Sequence, residues 1–328
     1  MLLEDKSVFK PFNYPVIERI FKIQQSTHWL GDNIPMQLDV QDWNTKLTDE
    51  EKHIVGNLLK SFTQVEVIVG DYWRDLSYVF KHPEISMMCT TFSYFETIHQ
   101  LAYDRLNASL DLTDYKGFLQ EERVSNRLNG IVNQNCLRMN LDRNNPDKQH
   151  LLDIAVSIAS FSAFVEGCAI FSSFMILFNF SRSKILSATK EIVEYSIRDE
   201  EIHSIGGIAL FRELCSEYPY IKHRAEDKIK EAARLVYQLE SNNLDFIFEN
   251  TNAVRGLTKE EVLNYIANRL NLKLVELGYS SIFEIDSVKL KNVDWFDIIV
   301  KGNSHGDFFA KKITDYTNQE DVDPDSLW

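Results

Sequence analysis

The chain has 328 residues and a formal net charge of -14, with 12 glycines and 7 prolines. That length holds a substantial core in one large domain or two. The acidic balance argues against non-specific nucleic-acid binding, which needs a basic footprint.

Residues 1 to about 45 read as irregular, because Pro11, Pro15 and Pro35 interrupt any long helix; one short helical piece fits Val16 to Gln25. Thr48-Asp49-Glu50-Glu51 is a capping-box pattern and opens a helix from about Asp49 to Lys81, stopped by Pro83. Ile54, Leu58, Phe62, Val65 and Val69 form its apolar stripe, and Glu66 adjoins that stripe. Further helices are expected at Pro83 to Leu110 and at Tyr115 to Asn140, the latter kinked at Gly130. After the polar stretch Asp142 to Asp147 comes the most apolar region, Ile154 to Phe180. It is long enough to pose the question of a membrane span, but Glu166 at its middle and its serines favour a buried core helix. Helices are also expected at Ser183 to Cys215, Ala225 to Phe248 and Val262 to Leu277, and strand-like alternation is scarce. From Asp315 the chain is acidic and without apolar period, which predicts a flexible tail over 315–328 after a helical domain over 1–314. The N-terminus lacks a signal-peptide pattern, and Cys89, Cys136, Cys168 and Cys215 form no C-x-x-C pair. A cytoplasmic, membrane-free protein with reduced thiols is expected.

The chemistry is concentrated in two Glu-x-x-His motifs, Glu96 to His99 and Glu200 to His203. On a helix each pair shares a face, and both lie on apolar faces where a charge needs a strong partner. A third copy, Glu50 to His53, lies in the charged first turn of a helix and is read as facing water. Two other apolar helices each carry an isolated glutamate, Glu66 and Glu166. One Glu from each of two helices, with Glu-x-x-His from each of two more, is the ligand set of ferritin-like di-metal carboxylate bundles. Carboxylate oxygen with imidazole suits two divalent first-row metals such as iron or manganese. The expected fold is therefore all-α, a ferritin-like helical bundle around a dinuclear metal site. Tyr103, one turn beyond His99, falls on the same face as the ligands.

The order Glu66, Glu96-x-x-His99, Glu166, Glu200-x-x-His203 resembles the small (beta, radical-generating) subunit of class I ribonucleotide reductase. Tyr103 stands where that family keeps its radical tyrosine, Asp199 where it has a relay aspartate, and Trp29 where it has a relay tryptophan. Phe308 to Tyr316 is similar to the family's Phe-Phe-x-Lys-Arg-Val-x-x-Tyr, which would make Tyr316 the tail tyrosine. Asp323 to Trp328 is similar to the peptide that docks on the large (alpha) subunit.

The resemblance implies an oxidoreductase, the beta subunit of ribonucleoside-diphosphate reductase. Its activated metal pair would supply an oxidising equivalent through His99, Asp199, Trp29 and Tyr316 to the large subunit, which reduces the ribonucleotide. It also implies a homodimer. Two departures stand out: Glu66 replaces the aspartate of many members, as is common where manganese or mixed metals are used, and Ser196 replaces an apolar residue that often shields the radical. The alternatives are a ferritin-like iron-storage protein or di-iron oxidase, a di-iron oxygenase or desaturase, and a metal-free helical scaffold.

Overall fold

The computed structural model describes residues 1–132 and 147–303. In chain order the helices are α1 (Pro15–Ser26), α2 (Gln37–Thr45), α3 (Asp49–Val79), α4 (Pro83–Ser109), α5 (Tyr115–Phe118), α6 (Glu122–Val132), α7 (Lys148–Ser160), α8 (Phe171–Ser181), α9 (Ser187–Glu217), α10 (Tyr220–Arg224), α11 (Glu226–Ile247), α12 (Lys259–Glu276), α13 (Ser287–Asn292) and α14 (Asp294–Asn303). A π-helical segment, Phe161–Ala169, joins α7 to α8. Among the described residues the only sheet is a two-stranded hairpin, β1 (Ala253–Val254) with β2 (Leu257–Thr258), turned at Gly256 with φ +80.

Local chemistry explains the long helices. Thr48 and Glu51 form the expected capping box on α3, and Thr258 and Glu261 form another on α12. α4 starts with Pro83 in its first turn, where the missing N–H costs nothing. α9 begins differently, after Leu186 in the left-handed region (φ 56) and with no cap of its own. Its free amides are capped by α2 instead. The buried Asp39 carboxylate accepts from the amides of Ala188 (2.8 Å) and Thr189 (2.7 Å), and Asp42 accepts from that of Leu186 (3.0 Å). The first 45 residues are thus more ordered than their prolines suggest. α2, α10, α13 and α14 lie outside the helices expected from the sequence.

The apolar stretch expected as one core helix is the continuous rod Lys148–Ser181, long and apolar enough to cross a membrane, yet its most apolar 18 residues are almost wholly buried within the protein. Its neighbours are α9, α11 and α12, and protein takes the place that lipid would have. The expected helix over Tyr115 to Asn140 is split, in its described part, into α5 and α6, and α6 runs through Gly130 without a break; residues 133–140 of that span lie outside the described residues. That glycine serves close packing: a Cβ there would collide with Leu239 of α11. α3 and α4 form the most extensive helix pair, and with α9 and the Phe161–Ala169 segment they enclose the centre of the bundle.

Candidate metal centre

The four enclosing segments each bring carboxylates inward. α3 carries Glu66, α4 carries Glu96 and His99, the π segment carries Glu166, and α9 carries Glu200 and His203; all six side chains are fully buried. They converge as two overlapping clusters, Glu66, Glu96, His99 and Glu200 on one side and Glu96, Glu166, Glu200 and His203 on the other. Within each cluster the candidate ligand atoms lie within 4.8 Å of one another.

The distances reveal the plan of the site. His99 Nδ1 is 3.1 Å from Glu96 Oε2, 3.2 Å from Glu200 Oε1 and 4.0 Å from Glu66 Oε2. His203 Nδ1 is 2.7 Å from Glu96 Oε1, 3.0 Å from Glu200 Oε2 and 3.9 Å from Glu166 Oε1. Glu96 and Glu200 therefore offer one oxygen to each half, while Glu66 and Glu166 each serve a single half. One imidazole N–H cannot satisfy three carboxylate oxygens. Among the described residues, both oxygens of Glu66 and one of Glu166 lack a hydrogen-bond donor. Unpaired buried carboxylate oxygens are costly, and a cation in each half would remove that cost. The donor set fits a dinuclear metal site.

The electrostatics point the same way. Burial pushes the carboxyls of Glu66 and Glu166 well above the ordinary range, and the charges of Glu200 and Glu96 push them further. Burial opposes the charged form of His203, but Glu96 and Glu200 overcome it and raise the imidazole to about 9. His99 is raised in the same way, by Asp199, Glu200 and Glu96 against its burial. Without metal, protons offset charge in this cluster; bound metal would displace them.

The ring edge of His99 away from the cluster leads outward. Its Nε2 lies 3.2 Å from Asp199 Oδ2, and the same oxygen accepts the indole N–H of Trp29 at 2.7 Å. The other oxygen, Oδ1, accepts from Gln24 Nε2 at 3.0 Å and from the Arg198 guanidinium at 3.1 Å. Burial works against the Asp199 charge, but His99, Arg198 and Trp29 hold the carboxyl below its usual value. Gln24 belongs to α1, and Trp29 follows it, so the N-terminal segment completes this network. Trp29 also lies 5.0 Å, ring to ring, from Tyr195.

Tyr103 is buried and donates its hydroxyl to Ser196 Oγ at 3.0 Å. Phe62 stacks on it with ring centroids 4.5 Å apart, and burial, then the Glu66 charge, push its phenol far above the ordinary range.

The site residues Glu66, Glu96, His99, Tyr103, Glu166, Asp199, Glu200, His203 and Trp29 thus come together. Tyr316 and the tail fall outside the described residues. The Glu50 to His53 pair stays away from the cluster, as expected, but His53 is half-buried rather than facing water: its Nε2 lies 3.4 Å from Glu249. The sequence reading missed Trp73, whose indole N–H donates to Glu166 Oε1. It stands two helical turns after Glu66 on α3, and that spacing was the available signal.

A family description, "Ribonucleotide reductase, small chain", matches residues 6–291. A probable ribonucleoside-diphosphate reductase small subunit of Invertebrate iridescent virus 3 is 32% identical, over 96% of this chain and 85% of the relative. The ribonucleoside-diphosphate reductase small subunit of Dictyostelium discoideum is 24% identical, over 95% and 87%. Among solved structures, a putative class I ribonucleotide reductase from Bacillus halodurans superposes with TM-score 0.75 at 19% identity, covering 87% of this chain and 100% of the other. Streptococcus sanguinis dimanganese(II)-NrdF gives 0.70 at 17%, covering 92% and 99%. These likenesses extend the match to the whole bundle, and the ferritin-like oxidase or oxygenase alternative is not favoured. The chain belongs to the ribonucleotide reductase small-chain family, the radical-generating subunit of the oxidoreductase ribonucleoside-diphosphate reductase.

Proposed function

We propose that Glu66, His99, Glu96 and Glu200 hold one metal, and that Glu166, His203, Glu96 and Glu200 hold the other, with Glu96 and Glu200 shared. The observation that carries this is the opposed pair of oxygens that Glu96 and Glu200 each present to the two histidines. The metals are iron or manganese, for which carboxylate and imidazole are fitting ligands. When bound and oxidised by dioxygen, superoxide or peroxide, such a pair would supply a one-electron oxidising equivalent to the side chains around it.

Tyr103 is the residue that stores this equivalent, in a pocket closed by Phe62 and with Ser196 fixing the phenol hydrogen. His99, Asp199 and Trp29 form the way out. Asp199 orients the imidazole and sets its tautomer. It also lies where a proton leaving the Trp29 indole on oxidation would be received, because that N–H already points at its Oδ2. Membership of the small-chain family implies a large-subunit partner. Tyr316 continues the path to that partner, and the acidic tail over 315–328 docks on it. The chain forms a homodimer, for which exposed apolar side chains on α3 and α4, Val67, Tyr78, Tyr94 and Leu101, are available. A reducing, cytoplasmic setting agrees with the free thiols of Cys89, Cys168 and Cys215.

The test is reconstitution of the metal-stripped chain with Fe(II) and dioxygen, or with Mn(II) and superoxide or peroxide as the oxidant, followed by elemental analysis and electron paramagnetic resonance. Two metals per chain and a tyrosyl signal absent from Tyr103→Phe are expected; a signal that survives in that variant overturns the storage role. Deletion of residues 316–328 should abolish nucleotide reduction with the large subunit and leave metal content unchanged. Retained activity would overturn the tail assignment.

A further inference from the structure

The Phe161–Ala169 segment is π-helical, with turns wider than those of the α-helices on either side. Two of its carbonyls, those of Gly167 and Ala169, accept from buried arginines of distant parts of the chain, and that of Ala169 also accepts from Ser172 Oγ at 3.3 Å. Arg269 of α12 donates from Nε to the Gly167 carbonyl at 2.8 Å, and Arg127 of α6 donates to the Ala169 carbonyl at 3.1 Å.

Each guanidinium is held by a second group. Arg269 also donates to Glu201, the residue next to Glu200, and it sits over the ring of Phe171. It therefore ties the residue after Glu166 to the residue after Glu200. Arg127 donates to Glu240 Oε1 at 2.6 Å and to Ser61 Oγ at 3.1 Å, the latter on the helix of Glu66. Glu240 closes this second clamp through Ser172 Oγ, at 2.7 Å, on α8. Gly167 has no room for a side chain, since a Cβ would meet Lys273 Cε and Ser204 Oγ, each at 2.8 Å.

A buried ion pair is weak evidence of stabilisation, because desolvation offsets much of the attraction. What a rigid guanidinium fork does well is fix two acceptors relative to one another. Both forks here span a π-segment carbonyl and a side chain on another helix. Glu166 lies one residue before the first of those carbonyls.

We propose that Arg269 and Arg127 are positioning residues for Glu166: by holding the Gly167 and Ala169 carbonyls they keep the wide turn in the register that presents Glu166 to the His203 half of the site. This rests on the metal-centre reading above. It predicts an effect on one metal position and not on the other.

The experiment is Co(II) titration of the metal-stripped full chain, followed by absorbance, for the parent, Arg269→Met and Arg269→Lys, each alone and in a Glu166→Ala background. Arg269→Met leaves Glu201 facing Lys273, 3.5 Å away, so the carboxylate keeps a cation. The first equivalent should bind as in the parent, and the second should weaken roughly tenfold to hundredfold, the range for loss of groups that orient ligands. In the Glu166→Ala background the same substitution should add nothing, which a general loss of packing would not reproduce. Arg269→Lys keeps the charge but cannot span both acceptors, so it should fold as the parent does while the second equivalent stays weak; it carries the test if the Met variant fails to fold. Parent-like binding of both equivalents in the variants, equal weakening of both, or a further loss in the Glu166→Ala background would overturn the clamp. No uptake by the parent chain would overturn the metal-centre reading, and the clamp with it.

Discussion

The two halves of the cluster share Glu96 and Glu200 yet face different surroundings. Behind His99, Nε2 meets Asp199, and through it Trp29, Gln24 and Arg198, a continuous line of hydrogen bonds from the centre toward a partly exposed guanidinium. Behind His203, Nε2 has no hydrogen-bond partner among the described residues, and the ring is packed against Phe92, with centroids 4.3 Å apart, and near Trp73. One half is wired; the other is enclosed. The same ligand chemistry is thus embedded once in polar connections and once in aromatic packing. On the relay proposed above, that asymmetry would give an oxidising equivalent one hydrogen-bonded direction in which to leave.

The largest effect should come from removing what the halves have in common. Glu200→Ala deletes an oxygen from each, and metal content by elemental analysis should fall from two per chain to fewer than about one. A variant that kept two metals would dissolve the shared-ligand plan.

Substitution on the wired side should separate chemistry from binding. Asp199→Asn removes the charge that His99 and Trp29 share, and nucleotide reduction with the large subunit should drop about a hundredfold while two metals are still bound. Equal losses of metal and activity would mean that Asp199 acts only as a structural support.

A finer contrast lies at Tyr103. Ser196→Ala removes the acceptor of its hydroxyl, so the tyrosyl resonance spectrum should change its g-values and decay faster, with metal content unchanged. An identical spectrum would show that the contact does not tune the radical.

On the enclosed side, Phe92→Leu should lower stability by about 1–2 kcal/mol in chemical denaturation and change activity less than Asp199→Asn does. A hundredfold activity loss there would abolish the distinction between the halves.

Much of this was legible in the sequence because helical spacing is local. Glu96 with His99, and Glu200 with His203, need only a three-residue offset to share a face, and the apolar context marked them as buried. The offset of Tyr103 from His99 put it on the ligands' face, whereas its role and the choice of Asp199 came from the family resemblance. What escaped depends on contacts between distant segments. Nothing near Leu186 announces that Asp39, about 150 residues earlier, caps α9. Nothing in Phe161–Ala169 distinguishes a π turn from an α turn, and the arginines that meet its carbonyls come from α6 and α12. Gly130 reads as a kink until Leu239 is seen beside it.

The trans-cap from α2 has a consequence for how the protein is assembled along its length. All six ligands lie between residues 66 and 203, whereas Gln24, Trp29, Asp39 and Asp42 precede them all. The candidate cage and most of the outer partners of Asp199 therefore come from different stretches of the chain, Arg198 being the exception. The N-terminal segment closes the first turn of α9 and gives Asp199 its Gln24 and Trp29 contacts, so one short stretch serves both the start of a ligand-bearing helix and the network behind His99.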